Sequence, residues 1–335
     1  MDNRLEYFYV LRGIAISMVV AIHTFSYAYG ESATFIRQLF NCAVPLFLAI
    51  SAYFISTKKV DSLDSYKKFI SKQVPKVYIP AIIWSFPLFF RALFTTDSFM
   101  REFILLLTCG HSVYYFIILI IQYYLLLPLL KECRNIKWGG VTLCVSILCV
   151  GLVHFARIRY RIEIPFLLYA APFPMWIAFF VEGIIIRNIV NRNYGIILIL
   201  IGVLLMWVLQ YIESGWLLKF ATGGAGIKPS SFLFSYLVIL LLFSHKAENF
   251  FQKAKFISVL FIKIGNLSFG IYLTHCYIIN ILHIMPFSFL QDNWFIKWLV
   301  VMIITYAIIW LGQMALPPKM AKHLGFYYDK PTVKI

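Results

Sequence analysis

Apolar stretches of roughly 17–22 residues recur along the whole chain, separated by short polar connectors. Runs of that length match the roughly 30 Å hydrocarbon core of a bilayer. A segment inside lipid has to satisfy its own backbone groups, so each run is predicted as a helix. The pattern places about ten spans, near 8–29, 38–56, 77–95, 112–130, 139–155, 171–187, 194–211, 230–245, 264–284 and 295–316. A further apolar piece at 101–109 is too short to cross and reads as re-entrant or interfacial. The first run lacks a small-residue cleavage site and reads as a retained helix. No connector is long enough for a soluble domain and no internal repeat is visible. The chain is therefore predicted as one all-α transmembrane domain over residues 1–335, a polytopic helical bundle. The one unusual connector, 212–229, contains the flexible run Thr222-Gly223-Gly224-Ala225-Gly226.

Composition agrees: 61% of the residues are apolar and 13% charged, against about 25% charged in soluble domains. The net charge of +16 does not point to nucleic acid, because no basic face is interleaved with stacking aromatics. Its placement fits a membrane instead. Lys58, Lys59, Lys67, Lys68, Lys72 and Lys76 crowd into one connector. With the amino terminus in the cytoplasm, alternate connectors hold about 20 Lys and Arg, far more than the other side, which predicts an N-in, C-in orientation. Arg157, Arg159 and Arg161 form the main cluster on the opposite side, either a solvated loop or a contact for an anionic lipid or substrate. The six cysteines form no CxxC pair, and no His-Glu-x-x-His spacing occurs, so neither a disulfide framework nor a metal site is predicted.

Ionisable groups within spans are costly in lipid, so each marks a candidate site. Arg12 and His23 lie eleven residues apart in the first span. Eleven steps of about 100° bring them within roughly 20° of one face, about 16 Å apart along the axis. Ser268, Tyr272 and His275 fall at i, i+4 and i+7 of the ninth span, a stripe that is either interhelical glue or the wall of a polar cavity. Glu182 is a lone acid in the sixth span, for which Arg12 or Arg91 is the expected counter-ion. His111, His154, His245, His283 and His323 lie near span ends or outside them, where histidine is unremarkable.

These residues also fit a known pattern. Leu11-Arg12-Gly13-Ile14-Ala15-Ile16 through His23, the apolar run Val44 to Tyr53, the basic connector from Lys72 to Pro80, and Tyr114-Tyr115-Phe116 to Leu127-Pro128-Leu129-Leu130 occur in that order. Ser268 to His275 is similar to a Ser-Tyr-x-x-Tyr-Leu-x-His signature. The chain resembles the acyltransferase family 3 membrane proteins, which O-acylate sugars and other cell-envelope molecules, in a stand-alone form. It departs from them at Ala52, where Gly is usual, at Phe269, where Tyr is common, and at Lys72 and Lys76, where Arg is typical.

The resemblance implies a multi-pass protein of the bacterial cytoplasmic membrane. It would move an acyl group, acetyl being the simplest, from cytoplasmic acyl-CoA to a hydroxyl of an envelope glycan or lipid-linked sugar. Acetyl-CoA would be a donor substrate, and no cofactor would be bound permanently. His23 would act as base or transient acyl carrier, because imidazole exchanges protons near neutral pH. Arg12 would hold the pantetheine, a phosphate or a carbonyl oxygen. Lys72 and Lys76 would receive the CoA phosphates. Ser268, Tyr272, His275 and Glu182 would orient the acceptor or assist proton transfer. A carrier or flippase for a lipid-linked sugar is the alternative that the same polar stripes would serve.

Overall fold

The computed structural model describes residues 3–96, 98–189, 195–220, 226–285 and 288–327. Every regular element among them is helical. In chain order these are α1 (Asn3–Thr24), α2 (Gly30–Arg37), α3 (Ala43–Ile55), α4 (Leu63–Leu93), α5 (Phe99–Leu107), α6 (Tyr115–Leu130), α7 (Ile136–Tyr160), α8 (Phe166–Ala170), α9 (Phe173–Asn188), α10 (Ile196–Leu218), α11 (Pro229–Leu242), α12 (His245–Lys253), α13 (Lys255–Asn266), α14 (Ser268–Ile284), α15 (Ser288–Asp292), α16 (Trp294–Ala315) and α17 (Pro318–His323).

Among the described residues, seven helical stretches are long and apolar enough to cross a bilayer, and nine if two bent pairs each count as one span. The bends are 63° between α11 and α12 and 76° between α13 and α14. Each of the ten expected positions holds a helix, but α6, with 16 residues, is short for a full crossing. The piece expected at 101–109 is α5, a nine-residue helix.

Several boundaries differ from the hydropathy reading. The first helix runs from Asn3 to Thr24 rather than over 8–29. Its last residue, Thr24, turns its hydroxyl back to Val20 O (3.0 Å) and Ala21 O (3.2 Å). Ser26 then accepts from the Ala28 amide (3.3 Å) to open a short 3₁₀ turn, and Gly30 leaves that turn at φ +88°, a conformation open mainly to glycine. From Leu63 onward the basic connector proves to be the first half of α4, a 31-residue helix. Ser62 and Ser65 start it with a reciprocal capping box, and Pro75, Pro80 and Pro87 lie inside it without ending it. The Gly-rich connector is shorter than expected, because α10 continues to Leu218; Thr222 to Ala225 lie outside the described residues.

The chain divides into two compact units, residues 1–58 with 129–265, and residues 59–128 with 266–335. The first is assembled by close backbone approach. A methyl group at Gly13 would stand 2.1 Å from the Phe261 carbonyl oxygen, and one at Gly265 2.0 Å from that of Tyr9, so α1 and α13 touch backbone to backbone. Gly183 likewise sets α9 against α3, 2.3 Å being the distance a methyl would keep from Ala49 O. Small residues at such crossings are how helices gain dispersion contact in lipid. Helix α9 is buried from Met175 to Ile186 with one exception, Ile177. Ser146 of α7 reaches into its first turn, donating to Pro174 O (3.3 Å) and accepting from the Ala178 amide (3.2 Å).

In the second unit, aromatic donors tie helices together by their carbonyls. Tyr66 bonds Leu125 O (2.9 Å), Tyr78 bonds Leu107 O (2.8 Å), Tyr114 bonds Leu273 O (2.6 Å), and Trp84 bonds Leu324 O (3.0 Å). Tyr277 donates to Trp84 O. Around these bonds pack Ala81, Cys109, Tyr114, Ile117 and Leu273.

The glycine crossings make a direct prediction. Gly183→Val forces α3 and α9 apart, since the obstructing atoms are backbone and cannot swing aside. It should cost about 3 kcal/mol or more, seen as a lowered melting temperature or loss of monodisperse protein in detergent. Gly140→Ala, where nothing lies within 4 Å, should be tolerated or stabilise α7 by about 0.5–1 kcal/mol. Equal tolerance of both changes would contradict the close-packing account.

Candidate active site

Helix α1 carries Arg12 and His23 without interruption, so the shared face and the separation of about 16 Å both stand. Their depths differ from the hydropathy reading. The helix starts earlier, which places Arg12 near its middle and His23 in its last turn. Arg12 is half-buried with its guanidinium 5.8 Å from the Tyr9 ring centre, a cation–π contact within one turn. His23 is exposed. The imidazole is thus the accessible end of the stripe, and the guanidinium lies partway along it.

Glu182 of α9 is 1% exposed, and neither carboxylate oxygen has a hydrogen-bonding partner among the described residues. Neither Arg12 nor Arg91 bonds it among the described residues, and the Arg12 guanidinium lies over Tyr9. An acid in that setting is among the most costly groups in the unit.

The three residues of the α14 stripe differ in their partners. Tyr272 donates its hydroxyl to Val113 O (2.7 Å), reciprocating the bond from Tyr114 to Leu273 O. His275 is fully buried, with Nδ1 3.0 Å from Ile271 O and 2.8 Å from Tyr272 O. Carbonyls only accept, so Nδ1 carries the proton and the lone pair sits on Nε2, 3.4 Å from the Cys276 sulfur. Ser268, at the α13–α14 bend, is 1% exposed and its hydroxyl has no partner among the described residues. Lys72 and Lys76 lie four apart on α4 rather than in a connector, Lys72 exposed and Lys76 half-buried. The candidates thus divide between the units, with Arg12, His23 and Glu182 in one and Lys72, Lys76, Ser268, Tyr272 and His275 in the other.

A second polar group in the first unit went unnoticed in the sequence. Arg37, at the end of α2, donates to Asn41 Oδ1. Asn41 Nδ2 donates to Gln38 Oε1 (3.1 Å) and to Gln210 Oε1 of α10 (2.7 Å). Lys228 Nζ donates to the same Gln38 oxygen (2.8 Å). All five side chains are buried. Burial and the Arg37 charge push the Lys228 ammonium down to about 7, against the opposing pull of Glu213. Gly226, the described end of the Gly-rich connector, packs beside the Arg37 guanidinium. His154 belongs to this neighbourhood too. It is buried, not exposed at a span end, and its Nε2 lies 2.8 Å from Ile227 O. The legible signal was Gln210, Glu213 and Ser214 interrupting the otherwise apolar α10.

The Arg157–Arg161 cluster is not uniform. Arg157 donates to Ile164 O (3.1 Å) and lies 4.4 Å over the Tyr169 ring, which fixes the turn after α7. Arg159 and Arg161 stay exposed. His111, expected at a span end, is buried beside Glu102, 3.8 Å from its carboxylate.

A family model for the acyltransferase domain matches residues 5–314, nearly the whole chain. No curated protein and no solved structure matches.

The stripe on α14 can be tested directly. Tyr272→Phe strands the Val113 carbonyl and should lower stability by about 1–2 kcal/mol, whereas Ser268→Ala removes an unpartnered hydroxyl and should leave stability unchanged or slightly raised. Thermal unfolding in detergent reads both. A stable Tyr272→Phe with an unstable Ser268→Ala would reverse the assignment.

Proposed function

Because the chain belongs to the acyltransferase 3 family, we propose that it is a membrane O-acyltransferase that moves an acyl group from acyl-CoA to a hydroxyl of an envelope saccharide. The family match carries the reading, and the Arg12–His23 face of α1 supports it, since it offers a proton acceptor and a fixed cation on one apolar helix.

In this reading His23 removes the proton as the acceptor hydroxyl attacks the thioester carbonyl. The C–O bond forms, the tetrahedral intermediate collapses, and the C–S bond breaks. The imidazolium returns its proton to the departing thiolate, giving an O-ester and free CoA. A separation of about 16 Å, with side chains leaning toward the helix N-terminus, is too great for Arg12 to hold the same carbonyl oxygen. Arg12 instead meets the donor away from its reacting carbon. Lys72 and Lys76, one turn apart on α4, supply point charges for the CoA phosphates. In this reading both termini lie in the cytoplasm and Lys72 and Lys76 face the donor's side of a bacterial cytoplasmic membrane, as the excess of Lys and Arg in alternate connectors favours.

Purified protein in nanodiscs, given radiolabelled acetyl-CoA and an envelope extract, should move label into a glycan or glycolipid. His23→Ala should lower the rate by about 10²–10⁴-fold, and Arg12→Ala should raise the KM for the donor more than it lowers kcat. Wild-type protein that is folded yet transfers from no acyl-CoA would defeat the proposal.

A further inference from the structure

A cavity of about 680 Å³ lies between α7, α10 and the first residue of α11, wholly within the first unit. Its wall includes His154, Phe155, Arg159, Arg161, Glu213 and Trp216. The volume falls in the range of small-molecule sites, roughly 300–1,000 Å³.

Its chemistry is of three kinds. Phe155 and Trp216 are exposed aromatic faces on facing helices, and Phe220 holds the Trp216 ring edge-on at 5.0 Å. Such faces suit the apolar side of a ring. One acceptor awaits a donor. Glu213 accepts from the Ser230 amide (3.0 Å) and hydroxyl through Oε2, and no described residue bonds its Oε1. His154 also lines the wall, its Nε2 donating to Ile227 O and its Nδ1 enclosed within the protein. Arg159 and Arg161 add two guanidiniums, suited to carboxylate or phosphate.

Backbone strain points to the same place. Arg161 closes α7 in the left-handed region, φ 51° and ψ 36°, which is costly for a residue with a Cβ. Glycine would serve better as a helix stop, and strain of this sort gathers at functional sites.

We propose that this cavity is a subsite for an acidic saccharide, whose ring faces lie on Trp216 and Phe155, whose hydroxyls donate to Glu213, and whose carboxylate or phosphate meets Arg159 and Arg161. A neutral sugar leaves the guanidiniums unused, and an anionic lipid headgroup lacks the ring that the aromatic faces fit. The choice of a saccharide rests on the acyltransfer reading; the requirement for an anion and hydroxyl donors rests on the cavity alone.

Isothermal calorimetry on the full-length protein, without acyl-CoA, tests it with a uronic-acid trisaccharide, a glycosyl phosphate and a neutral trisaccharide of the same size. A parallel arm adds phosphatidylglycerol to the micelle. Acidic and phosphorylated sugars should bind at least about tenfold tighter than the neutral one, the size expected of one charge-assisted contact. Arg159→Gln with Arg161→Gln should erase that preference, and Trp216→Leu should weaken all three sugars, each in protein that stays monodisperse. Arg161→Gly should raise the melting temperature while weakening the acidic sugars, since it relieves the strain and removes the guanidinium. Equal affinity for neutral and acidic sugars, no binding of any, or heat from phosphatidylglycerol alone would overturn the proposal. His23→Ala should keep this binding while losing transfer. Transfer to an acceptor that does not bind here would refute the subsite and leave acyltransfer intact.

Discussion

In lipid, an apolar side chain gains little by leaving the acyl chains for a neighbouring helix, so association has to come from contacts that lipid cannot supply. Everything else in this protein depends on that constraint. In the first unit the answer is proximity: Gly13, Gly183 and Gly265 admit carbonyl oxygens to distances that any Cβ would block. In the second unit the answer is polarity, with phenol and indole donors reaching across to helix carbonyls. Neither solution needs a large apolar core, which is why α10 can remain almost wholly unburied while spanning 23 residues.

The same constraint sorts the polar residues. Most hydroxyls inside the helices are satisfied at home: Ser17, Thr142, Ser235, Thr274 and Thr305 each donate to a carbonyl four residues back. Those bonds cost no partner helix and carry no chemistry. What remains is informative by contrast. His23 is presented at the open end of its helix, Glu182 is enclosed without a partner, and Arg37 and Lys228 are gathered into one amide-lined network. The first unit thus holds both an exposed imidazole and enclosed charge.

How much of this was legible in the sequence varies by residue. The class of fold and the approximate places of the long apolar helices followed from run length, because the lipid's thickness acts on every span separately. The common face of Arg12 and His23 followed as well, since helical periodicity is a local property. The segment from Leu63 to Lys76 reads as connector because its lysines keep it polar, whereas the Ser62–Ser65 cap that starts α4 upstream is a weaker signal than run length. Tyr272 and His275 were correctly placed on one stripe, but their choice between glue and cavity wall needed Val113 and the carbonyls of the preceding turn.

The sequence by itself therefore determined what the chain dissolves in, which segments are helical and which side chains share a helix face, all consequences of interactions within a span. Only the tertiary structure decided which polar groups meet. Arg37 and Lys228 are 191 positions apart in the chain, yet they share one amide network. His154 looked like a span-end residue until Ile227 was seen beside it. A buried polar side chain is defined by its partner, and partners here come from distant segments whose approach is set by helix packing, which no local pattern encodes.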